Sequence, residues 1–235
     1  MSRPKTVCVI SGGLDSVCYA AILSKSSSQL FTITFDYAQK ASPEISRARY
    51  FSKLIGAQAS RIVDISFMKS LYGNSNALTS RDITIGPAFK NQLVVPVRNA
   101  VFLTIAAAWA ISIGASKLAY GAHLGDVPHY PDCRPEFASS LQETLNLAEA
   151  DSISSGRRER LELVSPAIEG LDKTRLLVSG HEILGDKVFR AWSCYTPGVT
   201  RGNRLLHCGK CESCISRKKA FLDAVIQDKT GYADR

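Results

Sequence analysis

The chain has 235 residues, 45% of them apolar, which is enough for a full hydrophobic core and excludes wholesale disorder. Its 29 Lys and Arg against 21 Asp and Glu leave a net charge of +8, which favours anionic partners such as nucleotides or tRNA, or serves solubility alone. The basic start (Arg3, Lys5) precedes only a short apolar run, and Asp15 follows soon after, which argues against a signal peptide. A cytoplasmic protein is therefore expected, with its seven Cys as thiols or metal ligands rather than a disulfide framework.

Residues 6–10 are mostly β-branched and apolar, suited to a strand buried on both faces. A Gly-rich turn follows at 11–16. Residues 17–23 read as a buried helix and 30–35 as a second strand. Ser42-Pro43 opens a helix, with Ser as its cap, Pro at its first position and Gly56 just past its end. Residues 61–65 are a third strand. Residues 66–91 are polar and punctuated by Gly73, Asn74, Asn76 and Gly86-Pro87, a loop or insertion of low regularity. The alternation resumes with 93–95, a long helix from about Ala100, and 117–120. Residues 99–116 carry no charge, a length that touches the membrane-span threshold, but small and polar residues dilute it and predict a buried core helix. A helix is expected from Pro135 to about Ala150, a strand at 161–165 and a helix at 173–183. Strands alternating with helices predict βαβ units and a parallel sheet. Beyond Trp192 the composition turns to Cys, Gly and basic residues. The chain thus divides into residues 1–190 and a small appended module at 191–235 that ends in a helix.

Ser11-Gly12-Gly13-Leu14-Asp15-Ser16 lies between a buried strand and a helix. Two glycines allow a sharp turn that brings amide N–H groups close to an anion. The serines add hydroxyls, and the helix start adds its dipole. A carboxylate in an anion cradle suits a cation, so Asp15 is a candidate Mg²⁺ contact or organiser of the loop. The segment lacks the Gly-Lys-Ser/Thr of a Walker A loop and the third Gly of a Rossmann fingerprint. It resembles the PP-loop of N-type ATP pyrophosphatases, which cleave ATP to AMP and pyrophosphate while adenylating an oxygen of their substrate.

Cys194, Cys208, Cys211 and Cys214 follow the spacing C-x13-C-x2-C-x2-C. Four thiolates satisfy tetrahedral Zn²⁺, with a [4Fe–4S] cluster and redox thiols as the rival readings. His207 is a bystander beside the first of the clustered cysteines. Cys8 and Cys18 read as buried small hydrophobes.

Further segments carry a resemblance to one family. Thr34-Phe35-Asp36-Tyr37-Ala38-Gln39-Lys40 with Glu44, Val95-Pro96-Val97-Arg98-Asn99 with Phe102, Tyr130-Pro131-Asp132-Cys133-Arg134-Pro135-Glu136-Phe137, Leu171-Asp172-Lys173-Thr174 and the cysteine module occur in order over nearly the whole chain. Together they resemble the QueC family of 7-cyano-7-deazaguanine synthases. The resemblance implies an adenine nucleotide α-hydrolase type of α/β fold with a C-terminal zinc module. It also implies conversion of 7-carboxy-7-deazaguanine to the nitrile with ATP, ammonia and Mg²⁺. Ser11, Gly12, Gly13, Leu14, Asp15 and Ser16 would hold the triphosphate. Lys173 and Arg98 would neutralise phosphate charge. Asp132 would accept from the guanine-like edge, Tyr130 or Tyr37 would stack on the base, and Arg134 would pair with the substrate carboxylate or with Asp132. Gln39 and Glu44 would shape the ammonia or substrate region. A homodimer and no membrane association are expected.

The family's usual Gly after Asp-Tyr is Ala38 here, and its His two residues after Gln is Ala41. The common Asp-Tyr-Ser-Gly-Tyr segment reads Asp126-Val127-Pro128-His129-Tyr130, and the Cys194–Cys208 interval is longer than usual. These departures keep two alternatives open. One is a QueC-like enzyme of antiviral systems, which joins the activated deazaguanine to an amine of a protein partner. The other is a PP-loop protein that modifies tRNA, suggested by Arg201, Arg204, Lys210, Arg217, Lys218 and Lys219.

Overall fold

The computed structural model describes residues 3–234. A five-stranded sheet runs in the order β3-β2-β1-β4-β5, formed by β1 (Lys5–Val9), β2 (Gln29–Asp36), β3 (Ala59–Asp64), β4 (Lys117–Ala119) and β5 (Glu162–Val164). Every pairing in it is parallel. β1 is central, so Thr6, Val7 and Cys8 are fully buried, as a run without polar alternation requires. Thr6 registers with Leu30 on one side and with Lys117 on the other. The chain therefore leaves β1 for one neighbour and later returns on its opposite side. Ligand crevices of such sheets open at this reversal, beyond the carboxyl ends of the strands.

Among the described residues, eight helices follow the alternation: α1 (Leu14–Ser26), α2 (Pro43–Leu54), α3 (Met68–Tyr72), α4 (Arg98–Ser112), α5 (Pro135–Leu147), α6 (Ala150–Ser154), α7 (Lys173–Leu184) and α8 (Glu212–Asp223). On one face Leu14, Val17, Leu176, Leu177 and Phe221 join α1, α7 and α8 into a single core cluster. Helices α1 and α7 meet closely because Gly180 lies on Cys18, where any Cβ would overlap the cysteine side chain. On the other face Ile33, Phe35, Leu118 and Leu163 meet α4 and α5. Segment Asn91–Ser112 is long and apolar enough to cross a membrane. A third of its most apolar window is buried, with Leu103, Ala106, Ala107 and Ala110 packed in the sheet core.

Several local expectations are corrected. Ser42 does not cap α2: it has helical dihedrals (φ −51°, ψ −29°) and its side chain caps nothing, although Pro43 starts the helix. Residues 93–95 form no strand. Leu93 and Val95 instead pack with Ala77 and Leu78 in a satellite core, so the 66–91 segment is anchored by its own apolar residues. The helix expected from Pro135 to about Ala150 ends at Leu147, and a short second helix starts at Ala150. The long Cys194–Cys208 interval holds an antiparallel hairpin, β6 (Val199–Arg201) and β7 (Arg204–Leu206), turning at Gly202 with φ +56°.

Candidate active site

The 11–16 turn closes on itself. Ser16 Oγ accepts from the Ser11 amide at 3.1 Å and donates to the Gly13 carbonyl at 3.1 Å, while the Gly13 amide donates to Ser11 Oγ at 3.1 Å. Gly12 has φ +88°, and a Cβ there would collide with the backbone of Glu44 and Ala48, so α2 can approach only a glycine. Gly121, directly after β4, faces the same turn: a Cβ would lie 2.8 Å from Ser16 Cα. The two loops at the sheet reversal thus touch backbone to backbone, and a cavity of about 600 Å³ opens beside them.

Lys173 starts α7, capped by Asp172, whose side chain accepts from the Arg175 amide. Its Nζ donates to Asp15 Oδ2 at 2.9 Å. Burial alone would raise the Asp15 pKa, but the Lys173 ammonium above all outweighs it and holds the carboxyl below its ordinary value. Burial likewise works against the Lys173 ammonium, and Asp15 more than offsets it. His123 Nδ1 accepts from the Gly125 amide at 3.0 Å, so a neutral ring carries its proton on Nε2. That Nε2 stands 3.8 Å from Asp15 Oδ1 and 3.6 Å from Asp126 Oδ2. Asp15 Oδ1 is buried and has no hydrogen-bond partner among the described residues, as suits an oxygen reserved for a cation.

The wall nearest α2 holds Tyr37, Gln39, Glu44 and Arg98. Arg98 Nη1 reaches the Tyr37 hydroxyl at 3.5 Å. Burial pushes the Glu44 carboxyl up to about 8, even though Arg98 pulls the other way. Tyr130 lines the cavity too, meeting Phe89 edge-on (5.4 Å, 84°), and Phe89 stacks on His129 at 4.5 Å.

Two expected substrate residues lie outside this wall. Asp132 Oδ2 accepts from the Asn99 amide at 3.1 Å and so caps the start of α4 from a distant loop. Arg134 is exposed and donates through Nε to the Val127 carbonyl. His123, Asp126, Phe89, His129, Tyr195 and Glu212 line the cavity without having been singled out as ligand contacts. A usable signal existed for His123 and Asp126, which follow the strand beside the phosphate turn. None existed for Phe89, inside the irregular 66–91 segment.

All four cysteine sulfurs lie within 4.8 Å of one another and are buried. Sulfurs bound at 2.3 Å to one tetrahedral ion stand about 3.8 Å apart. Cys208–Cys214 at 3.9 Å and Cys194–Cys211 at 4.0 Å match that spacing, whereas an iron–sulfur cube spreads its ligands over four corners. The Cys208 amide donates to Cys194 Sγ and the Cys211 amide to Cys208 Sγ, as thiolates at a metal prefer. The group can therefore hold a single metal ion. It also reaches the cavity directly: the Trp192 amide donates to the Gly12 carbonyl at 2.8 Å, and Ser213, Ser216 and Lys219 on α8 form part of the wall.

The family profile described as "Queuosine biosynthesis protein QueC" matches residues 5–225. A 7-cyano-7-deazaguanine synthase of Caldicellulosiruptor bescii is 38% identical over 233 residues, covering 97% of each chain. One of Thermoplasma acidophilum is 33% identical over 99% of this chain and 93% of its own. Among solved structures, a predicted subunit of a tRNA methyltransferase from Methanocaldococcus jannaschii covers 76% of this chain and 75% of its own at 18% identity, with a TM-score of 0.46. With its phosphate turn, cysteine group and full-length relatives, the chain belongs to the QueC family.

Proposed function

We propose that the protein makes 7-cyano-7-deazaguanine from 7-carboxy-7-deazaguanine, ATP and ammonia. The observation that carries this reading is the Asp15–Lys173 pair set against the phosphate turn in a cavity wide enough for a nucleotide and a second ring system. Full-length relatives named for this activity support it.

A carboxylate is a poor electrophile because oxide would have to leave. Attack of its oxygen on the α-phosphorus of ATP expels pyrophosphate and installs AMP as the leaving group. Ammonia then adds to the acyl carbon, AMP departs, and a proton passes from nitrogen to a base. A second adenylation, now of the amide oxygen, permits loss of AMP and a proton to give the nitrile. The chain's task is mainly to position and to neutralise charge. The backbone of residues 11–16 cradles pyrophosphate, Lys173 and Arg98 balance developing negative charge, and Asp15 Oδ1 offers a ligand to the Mg²⁺ of the nucleotide. Zn²⁺ is the ion we assign to the four cysteines; when bound it braces the module, with no part in group transfer.

The test is mass spectrometry of the products from protein, Mg·ATP, 7-carboxy-7-deazaguanine and ammonium. Free nitrile with AMP and pyrophosphate is expected. AMP with only the amide, or a mass added to a polypeptide, would instead mark transfer to another acceptor, as in the antiviral reading.

A further inference from the structure

The deazaguanine reading leaves open which group recognises the base, because the aspartate expected to do so caps α4 instead. Six carboxylates line the cavity; four are engaged with protein partners and a fifth lies on the α2 side. Asp15 pairs with Lys173, Asp126 accepts from the His123 amide, Asp172 caps α7, Asp223 pairs with Lys219, and Glu44 sits on the α2 side beside Gln39 and Arg98. The sixth is Glu212, the first residue of α8.

Its surroundings differ from those of the others. The Tyr195 hydroxyl lies against the Glu212 carboxylate and against the Tyr130 hydroxyl, and His129 is close by. Phe89 stacks on His129 (4.5 Å, interplanar 28°) and meets Tyr130 edge-on. The Glu212 amide donates to the Gly86 carbonyl at 2.9 Å, which fixes the loop that carries Phe89 to the head of α8. One carboxylate therefore stands at the edge of an aromatic wall. Lys173, bonded to Asp15 at 2.9 Å, is near enough to Glu212 for its charge to act on that carboxylate too. The aromatic wall and the 11–16 turn line the same cavity.

A guanine-like ring presents two adjacent donors, the ring N–H and the exocyclic amine, on the edge that a carboxylate can accept in a fork. We propose that Glu212 is the specificity residue of this cavity, accepting from the donor edge of a guanine-like heterocycle stacked on the Phe89–His129–Tyr130 wall. The proposal rests on the deazaguanine reading above. It gives the cysteine module a second role: the metal fixes the helix whose first residue reads the base.

Titration calorimetry on the metal-loaded full chain tests it, with 7-carboxy-7-deazaguanine and its analogue lacking the exocyclic amine as ligands. Wild type is expected to bind the first ligand about 10- to 100-fold more tightly, the range for hydrogen bonds to a charged group. Glu212→Gln, with metal content and ATP affinity intact, should weaken binding of the deazaguanine acid by a similar factor and erase the preference. Glu212→Asp, which keeps the charge but withdraws the oxygens, should also weaken it. Phe89→Leu should weaken both ligands equally. Equal binding of the two ligands by wild type overturns the proposal, as does an unchanged preference in Glu212→Gln. Failure of wild type to bind the deazaguanine acid at all removes the substrate reading and this proposal together.

Discussion

Lys173 and Asp15 meet although 158 positions separate them in the chain, and each keeps the other charged in a site that burial would otherwise neutralise. Lys173→Met leaves the aspartate without its partner and removes a cation from the phosphates. ATP-dependent pyrophosphate release should fall at least 100-fold, and stability should drop by about 1–3 kcal/mol, read by kinetics and urea melts. Ala38 shows a different kind of local cost. It holds φ +59°, a region that favours glycine, at the position where the family usually has one. Ala38→Gly is expected to stabilise the chain by about 0.5–1 kcal/mol, once the greater freedom of glycine in the unfolded state is subtracted. Glu44 carries a pH signature. Its folded pKa of about 8 exceeds the unfolded value, so between pH 4.5 and 8 the unfolded chain has released a proton that the folded one retains. Stability therefore falls with rising pH across that window. Glu44→Gln lacks this loss, so its melting-temperature gain over wild type should grow from pH 5 to pH 8; a constant difference would refute the buried neutral acid. Residue types were enough to single out the 11–16 turn and Lys173, which the fold brings together at one cavity, because a Gly-rich turn and its chemistry are local. The bond from the Asn99 amide to Asp132 was not legible, because sequence cannot tell which distant helix a turn carboxylate will reach.

At the scale of elements, the alternation of apolar runs was sufficient for the sheet and its main helices, since strands buried on both faces and helices packed on them leave plain patterns. The hairpin of β6 and β7 was not read, although Gly202-Asn203 between Val199 and Leu206 is a turn signal; three-residue strands are too short to show their period. The close contact of the β4 loop with the phosphate turn was also invisible in sequence. It yields a sharp expectation. Gly121→Ala sets a methyl 2.8 Å from Ser16 Cα and 2.9 Å from its amide nitrogen, and backbone atoms there cannot yield without breaking the turn. AMP formation should be lost while the cysteine group keeps its metal, as measured by product analysis and metal content of the same sample. Val97 is strained at φ +49° immediately before Arg98 and Asn99, so the head of α4 stores conformational cost beside the cavity.

Across the whole molecule, the cavity is assembled from the sheet, the anchored 66–91 segment and the cysteine module. The +8 charge has one identified destination in the cationic groups of that cavity, Lys173, Arg98 and Lys219. Cys211→Ser breaks the sulfur set, so metal stoichiometry should fall and the melting temperature with it, by several kcal/mol of stability. Loss of the metal without any change in melting would show that the module is held by packing alone.

The last sulfur needed is Cys214, whereas the sheet is complete at Val164. During synthesis the sheet can therefore be complete some fifty residues before the cysteine group closes, because chains fold from the N-terminus as they emerge. Until an ion is captured, the four thiols have nothing to join them, and α8 is held by Ala220, Phe221 and Arg217 against the core. Metal capture can then come only after Cys214 has been made, so a newly made chain in a metal-starved cell would be folded at its centre with its cysteine group unclosed.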